Sequence, residues 1–143
     1  MKLSIFDAKE HVDTDPVRDL MRDALPQPDD EMLDRLLARY ADDDQLQLFG
    51  ALDADDNLQG MIGLRLEDDG SAMILHLRVQ DDARRMGVGT ALVRRVKSHL
   101  SLVRISGRAT ERVLPFFTAL GFTNWVVGEK PPGTKWYGVR LEE

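Results

Sequence analysis

The 143-residue sequence contains no cysteine, which excludes disulfides, thiolate metal sites and a cysteine nucleophile. Its only histidines are His11, His76 and His99. No two of them stand at ligand spacing on a helix, so no metal site is expected. Basic residues are in deficit, 19 against 25 acidic, for a net charge of -6. A general nucleic-acid binder needs the opposite balance to displace counterions. No apolar run approaches the roughly 20 residues that cross a bilayer, and Met1 to Glu10 offers neither an apolar signal core nor a cleavage site. A chain of this length buries a core without staples. The expectation is one soluble, cytoplasmic domain over residues 1–143, with neither nucleic acid nor membrane as partner. No heptad pattern decides between a monomer and a homodimer.

The modest net charge conceals a split. Residues 1–70 hold 7 Lys/Arg and 19 Asp/Glu, whereas residues 71–143 hold 12 and 6. Much of the acid stands in runs such as Asp42-Asp43-Asp44, Asp53 to Asp56 and Asp68-Asp69, where solvated turns are expected. A sign asymmetry of this size can also be a partner signal.

Apolar spacing divides the chain into elements. Lys2 to Phe6 alternates as a short strand with Leu3 and Ile5 on one face. Asp15-Pro16 opens a helix, with Val17, Leu20, Met21, Ala24 and Leu25 forming its apolar stripe until Pro26-Gln27-Pro28 breaks it. A second helix starts with acid in its first turn, at Asp29, Asp30 and Glu31, and carries the stripe Leu33, Leu36, Leu37, Tyr40 and Ala41. The period then changes from 3.6 to 2, and Leu46–Leu52, Leu58–Leu66 and Ala72–Val79 read as an antiparallel meander. The segment Asp81 to Gly89 leads into a helix ending near Leu100, and Leu102–Ser106 reads as a strand. A short helix stops at Gly121, a C′ glycine, and Phe122–Val127 and Trp136–Leu141 close the chain as two strands. The order β-αα-βββ-α-β-α-ββ predicts a single α/β domain: a mixed, mostly antiparallel sheet of about seven strands with helices on both faces.

Chemistry concentrates in Leu77-Arg78-Val79-Gln80-Asp81-Asp82-Ala83-Arg84-Arg85-Met86-Gly87-Val88-Gly89-Thr90. A strand passes through a basic, glycine-containing turn into a helix, whose first amides lack intrahelical partners and whose positive end favours an anion. The glycines let phosphate approach the backbone, while Arg84 and Arg85 supply charge without a metal. A P-loop would need Lys-Ser/Thr after the glycine, but Thr90-Ala91 follows Gly89. A dinucleotide fingerprint would need glycine where Leu92 stands.

The run Arg84-Arg85-Met86-Gly87-Val88-Gly89 resembles the Arg/Gln-x-x-Gly-x-Gly/Ala signature of the GNAT N-acetyltransferases. The preceding Leu77-x-Val79 is similar to the strand end before that signature. Pro115-Phe116-Phe117-Thr118-Ala119-Leu120-Gly121-Phe122 resembles the family's Phe-Tyr-x-x-x-Gly-Phe segment, and the element order agrees along nearly the whole chain. The resemblance implies acetyl-CoA as co-substrate and no metal. It places the pyrophosphate on the turn Arg84, Arg85, Met86, Gly87, Val88, Gly89 and Thr90. It pairs the pantetheine with Leu77, Arg78 and Val79, where that strand and the next splay apart, and implies cofactor contacts at Thr110, Phe116 and Phe117.

No residue supports an acyl-enzyme, so direct transfer to an amine in a ternary complex is expected, and the resemblance implies the Val79 amide as donor to the oxyanion. The chain departs from the family at two places. Phe117 stands where a tyrosine usually protonates the leaving thiolate, and Thr110 replaces an asparagine, though threonine can still cap the following helix. A thiol of pKa about 8.5 leaves tolerably without an acid, and Tyr137 is a candidate substitute. His76 is the candidate base because its ordinary pKa of about 6.5 suits neutral operation. A single bulge would reverse the face on which it lies. Glu67 is a second candidate, and His11 and His99 read as surface residues.

In the family the acceptor lies against the first two helices and the last two strands. Asp29, Asp30, Glu31 and Asp34 on those helices imply a small-molecule or peptide amine that is cationic, such as a polyamine, an aminoglycoside or a lysine side chain. The competing reading is a catalytically weak, GNAT-like module that binds acyl-CoA or a partner without turnover.

Overall fold

The computed structural model describes residues 2–25 and 29–142. The strands are β1 (Ser4–Asp7), β2 (Leu46–Leu52), β3 (Leu58–Leu66), β4 (Ser71–Val79), β5 (Arg104–Thr110), β6 (Thr123–Glu129) and β7 (Lys135–Glu142). The helices are α1 (Asp15–Arg22), α2 (Asp30–Asp42), α3 (Val88–His99) and α4 (Leu114–Ala119), with 3-10 turns at Lys9–His11 and Asp81–Ala83. All seven strands form one sheet in the order β1-β2-β3-β4-β5-β7-β6. Every pairing is antiparallel except β4 with β5, so the mixed sheet and its helices on both faces are as the sequence predicts.

Strand alternation divides the interior in two. Phe49 and Ala51 of β2 and Ile62 and Leu64 of β3 face α3, packing with Val88, Leu92, Val93 and Val96. Leu46 and Leu48, with Met61, face the opposite way and pack with Val17, Leu20 and Met21 of α1 and with Leu33, Leu37 and Tyr40 of α2. Asp29 caps α2 by accepting the Met32 amide at 2.7 Å, as expected of an N-cap aspartate.

Several boundaries differ from the sequence reading. The first strand runs Ser4–Asp7, while α1 ends at Arg22 and gives way to turns closed by Ala24 N–H to Met21 O (2.9 Å) and Leu25 N–H to Arg22 O (3.1 Å). The break expected at Pro26-Gln27-Pro28 lies outside the described residues. β5 begins at Arg104 and extends to Thr110, well past the predicted Ser106. The buried face of its second half is Gly107 and Ala109, too small to register as an apolar alternation. Thr110 therefore ends a strand instead of capping α4, whose N-cap is Val113 with no side-chain hydrogen bond.

Two irregularities shape the functional end of the sheet. β4 pairs with β5 only at Ser71–Arg104, Ala72–Ile105 and Met73–Ser106, after which the strands separate. In the β3–β4 ladder Gly63 pairs with His76 but Leu64 with Ile74, leaving Leu75 as an extra residue, a β-bulge. Beyond it the facing reverses. Ala72 and Ile74 pack on the α3 side, and so do Leu77 and Val79, which turns His76 and Arg78 toward the side of α1 and α2.

Candidate functional site

A cleft of about 870 Å³ opens where β4 and β5 part. Leu77, Arg78 and Val79 line one wall, Arg84, Arg85, Gly87, Val88, Gly89 and Thr90 the turn into α3, and Thr110 and Phe116 the far side. Of the residues singled out from the sequence for the cofactor, Met86 and Phe117 are not in the lining. The Met86 side chain is exposed outside it, and Phe117 is buried in the core between the rings of Phe116 and Phe122, at centroid distances of 5.1 and 5.0 Å. Ala83, Arg112 and Val113 also line the cleft and were missed. Arg112 lies in the loop between β5 and α4.

Two kinds of backbone donor meet in this cleft. The first intrahelical bond at the start of α3 runs from Ala91 N–H to Gly87 O at 2.9 Å, and no side chain caps the helix. The amides of Val88, Gly89 and Thr90 thus open toward the cleft, at the positive end of a twelve-residue helix. Along β4, Gln80 N–H bonds Gln59 O at 2.9 Å, and antiparallel alternation then directs Arg78 and His76 to β3 as well. The amides and carbonyls of Leu77 and Val79 consequently point at the edge that β5 has left.

The two glycines of the turn do different work. Gly87 has φ +81°, with nothing within 4 Å of an added Cβ, so its requirement is conformational. Gly89 has an ordinary φ, but an added Cβ would stand 3.1 Å from the Phe116 ring, so there the requirement is close approach of α3 to α4. Arg85 takes a left-handed φ of +66°, uncommon for a side chain with Cβ and a mark of a constrained turn. Arg84 reaches Asp81 at 3.0 Å, with both side chains exposed, and such a pair contributes little.

His76 lies on the face covered by α2, where Tyr40 is fully buried and its hydroxyl stands 2.7 Å from His76 Nδ1. Gly63, opposite His76 in the ladder, makes the contact possible: an added Cβ would collide with the Tyr40 hydroxyl and ring. Burial, and then the charge of Arg78, hold the imidazole below its ordinary pKa, while burial pushes the tyrosine up. Both groups are therefore neutral near pH 7. His76 is the one partner of the Tyr40 hydroxyl among the described residues, and a buried O–H donates where it can. Nδ1 then accepts, the ring proton sits on Nε2, and His76 presents a donor there. The tyrosine within an otherwise aliphatic stripe was the sequence signal for this pair, since a buried phenol needs a partner.

The remaining candidates fall elsewhere. Tyr137 pairs with Ala109 and Val126, shares a face with Val139 and is not among the residues that line the cleft. Glu67 is exposed beyond the end of β3, ion-paired with Arg65 at 3.0 Å, at the opposite end of β4 from Val79. His11 and His99 are exposed. On α1 and α2, Asp30 and Asp34 meet Arg22 at 2.9 Å and Arg18 at 2.7 Å.

The sequence matches the model of the acetyltransferase (GNAT) family over residues 14–122. The chain belongs to that family. No curated protein matches it by sequence. Among solved structures it is similar to the aminoglycoside 6'-N-acetyltransferase from Enterococcus faecium, at 17% identity and a TM-score of 0.81, covering 99% of this chain and 97% of that one. An aminoglycoside 6'-N-acetyltransferase complexed with coenzyme A gives 18%, 0.78, 99% and 97%. The ribosomal-protein-S18-alanine N-acetyltransferase from Escherichia coli gives 14%, 0.76, 99% and 94%. At these identities the likeness is one of fold.

Proposed function

We propose that the protein is an acetyl-CoA-dependent N-acetyltransferase acting on a primary amine of a small molecule or peptide. The observation that carries this reading is the meeting, in one cleft, of the open β4 edge and the uncapped start of α3. The amides of Val88, Gly89 and Thr90, with Arg84, Arg85 and Arg112 beside them, fit a diphosphate. Leu77 and Val79 offer the extended backbone with which an amide-containing chain such as pantetheine pairs. Acetyl-CoA, when bound, supplies an activated thioester.

The chain's own groups then have defined tasks. The Val79 amide, directed at the open edge, donates to the carbonyl oxygen as negative charge grows there. The neutral acceptor nitrogen bonds to the acetyl carbon while the C–S bond breaks. Coenzyme A departs as thiolate, and the ammonium proton passes to water. Phe117 cannot protonate the thiolate, and a thiol pKa of about 8.5 makes such help small near neutrality. His76, with Nδ1 occupied and Nε2 protonated, acts as a hydrogen-bond donor on the acceptor side and not as the base.

Calorimetric titration with acetyl-CoA, beside dephospho-CoA and ATP, tests the reading, followed by release of free thiol in a mixed amine panel. Selective micromolar binding with thiol release is the expected result. Binding without release from any amine would favour the non-catalytic acyl-CoA-binding module, for which the absent tyrosine at Phe117 speaks. No binding would refute both.

A further inference from the structure

From the half of the sheet that α1 and α2 leave uncovered, we infer that the acceptor carries a carboxylate or comparable anionic group; this rests on the acyl-CoA cleft proposed above. α1 and α2 pack on β2, β3 and β4. On the same face no helix among the described residues covers β5, β7 and β6, where the Trp125 ring is seated over Gly138, whose added Cβ it would strike, and Arg140 is stacked on Trp125 at 5.1 Å. A second cavity of about 570 Å³ lies here, walled by Arg108, Lys130, Glu129 and Trp136. It adjoins the first. Thr110 lines the cleft and pairs with Trp136, and Arg108 stands two residues from Thr110 on the same face of β5.

The charge of this cavity is cationic. Arg108 and Lys130 are exposed and form no ion pair among the described residues. Its one carboxylate, Glu129, accepts the Gly133 amide at 3.2 Å, and the Trp136 indole N–H donates to Lys130 O at 2.9 Å, which fixes the indole as a wall. Arg78 faces the same side from across the splay, and its Nε is buried without a partner. Of the helical acids singled out from the sequence, Asp30 and Asp34 are paired and Asp29 is a cap, which leaves Glu31 against the cationic groups of the cavity. A polycation is repelled by such a wall. A carboxylate is drawn to Arg108, whose fork matches it. The same positive charges favour the unprotonated form of a nearby amine, which supplies the nucleophile where no base is present.

The experiment uses the full chain with acetyl-CoA. It compares α-amino acids and ω-amino acids with their carboxamides and with spermidine, reading thiol release at low and high salt. Carboxylate-bearing amines should exceed their carboxamides in kcat/KM by about tenfold or more, and salt should narrow the gap. Arg108→Gln should raise KM for the carboxylates by about tenfold and affect the carboxamides several-fold less. Its acetyl-CoA affinity and thermal midpoint should match the parent's. Preference for carboxamides or for spermidine overturns the inference, as does an Arg108→Gln variant with unaltered carboxylate KM. Acetyl-CoA binding without turnover of any carboxylate amine overturns it too. Loss of acetyl-CoA binding by the parent chain would instead remove the cleft reading on which it rests.

Discussion

Replacing Tyr40 with phenylalanine keeps the ring that fills the space over Gly63 and removes one oxygen 2.7 Å from His76 Nδ1. The pair contributes about 1 kcal/mol net, and the half-buried nitrogen left behind adds a desolvation penalty, so the loss should be about 1–3 kcal/mol at pH 8. For a domain of this size that lowers the thermal midpoint by about 3–10 °C. The pH dependence is the sharper test. His76 is held below its ordinary value of 6.5 by burial and by Arg78. Between its folded value and 6.5 the unfolded chain binds a proton that the folded chain refuses, so stability falls as the pH drops through that window. The Tyr40 hydroxyl donates to the neutral ring and deepens this depression. Without it the imidazolium is disfavoured less, and the acid-side loss shrinks. Melting curves of both proteins from pH 5 to 8 should therefore show a gap that is widest at pH 8 and narrows toward pH 5. A gap of constant size, or a variant as stable as the parent at pH 8, would refute the assignment of the hydroxyl as donor to Nδ1. A double-mutant cycle with His76→Leu should give a coupling of about 1 kcal/mol at pH 8.

Gly63→Ala should cost about 1–3 kcal/mol by overpacking against Tyr40, measured by urea denaturation. Gly87→Ala should cost about 1–2 kcal/mol, because φ +81° is unfavourable for any residue with Cβ although the surrounding space is open. Arg84→Gln should weaken acetyl-CoA binding about tenfold at low salt and less at high salt, read by calorimetry. If no protein base operates, kcat/KM should climb tenfold per pH unit up to the pKa of the acceptor amine; a plateau near pH 6–7 would reveal a base that the geometry does not provide.

The glycine turn, the strand before it and the element order were legible because each rests on local chemistry: positive φ at Gly87, uncapped amides at Val88, Gly89 and Thr90, and short apolar runs between turns in Leu46–Leu52 and Leu58–Leu66. The second half of β5 was hidden because Gly107 and Ala109 form its buried face. The placement of Phe117 in the core could not be read from a motif that matches position and not direction. The role of His76 depended on one extra residue in β4, which alternation alone does not reveal. Its partner Tyr40 lies 36 residues away in sequence, and only the packed fold brings them together. The cationic acceptor suggested by the helical acids rested on charge counts. Pairing with Arg18 and Arg22 removes part of that charge from any role in recognition.

The bulge at Leu75 sets where the length of β4 is tied to the chemistry at its end. β3 runs regularly opposite it, so the extra residue lets Leu77 and Val79 take the same α3 side as Ala72 and Ile74 although their numbers change from even to odd. Deleting Leu75 would place His76 directly after Ile74 in an unbroken ladder, with every side chain beyond it on its present face. Deleting a residue between His76 and Val79, where the ladder is already regular, would instead move each later side chain to the other face and change the backbone groups offered to the open edge. The strand thus carries one position where its length is free, next to four where it is not. Deletions should be tolerated in the Asp53–Asn57 turn and at Leu75, one of the more exposed apolar side chains, and rejected from His76 to Val79.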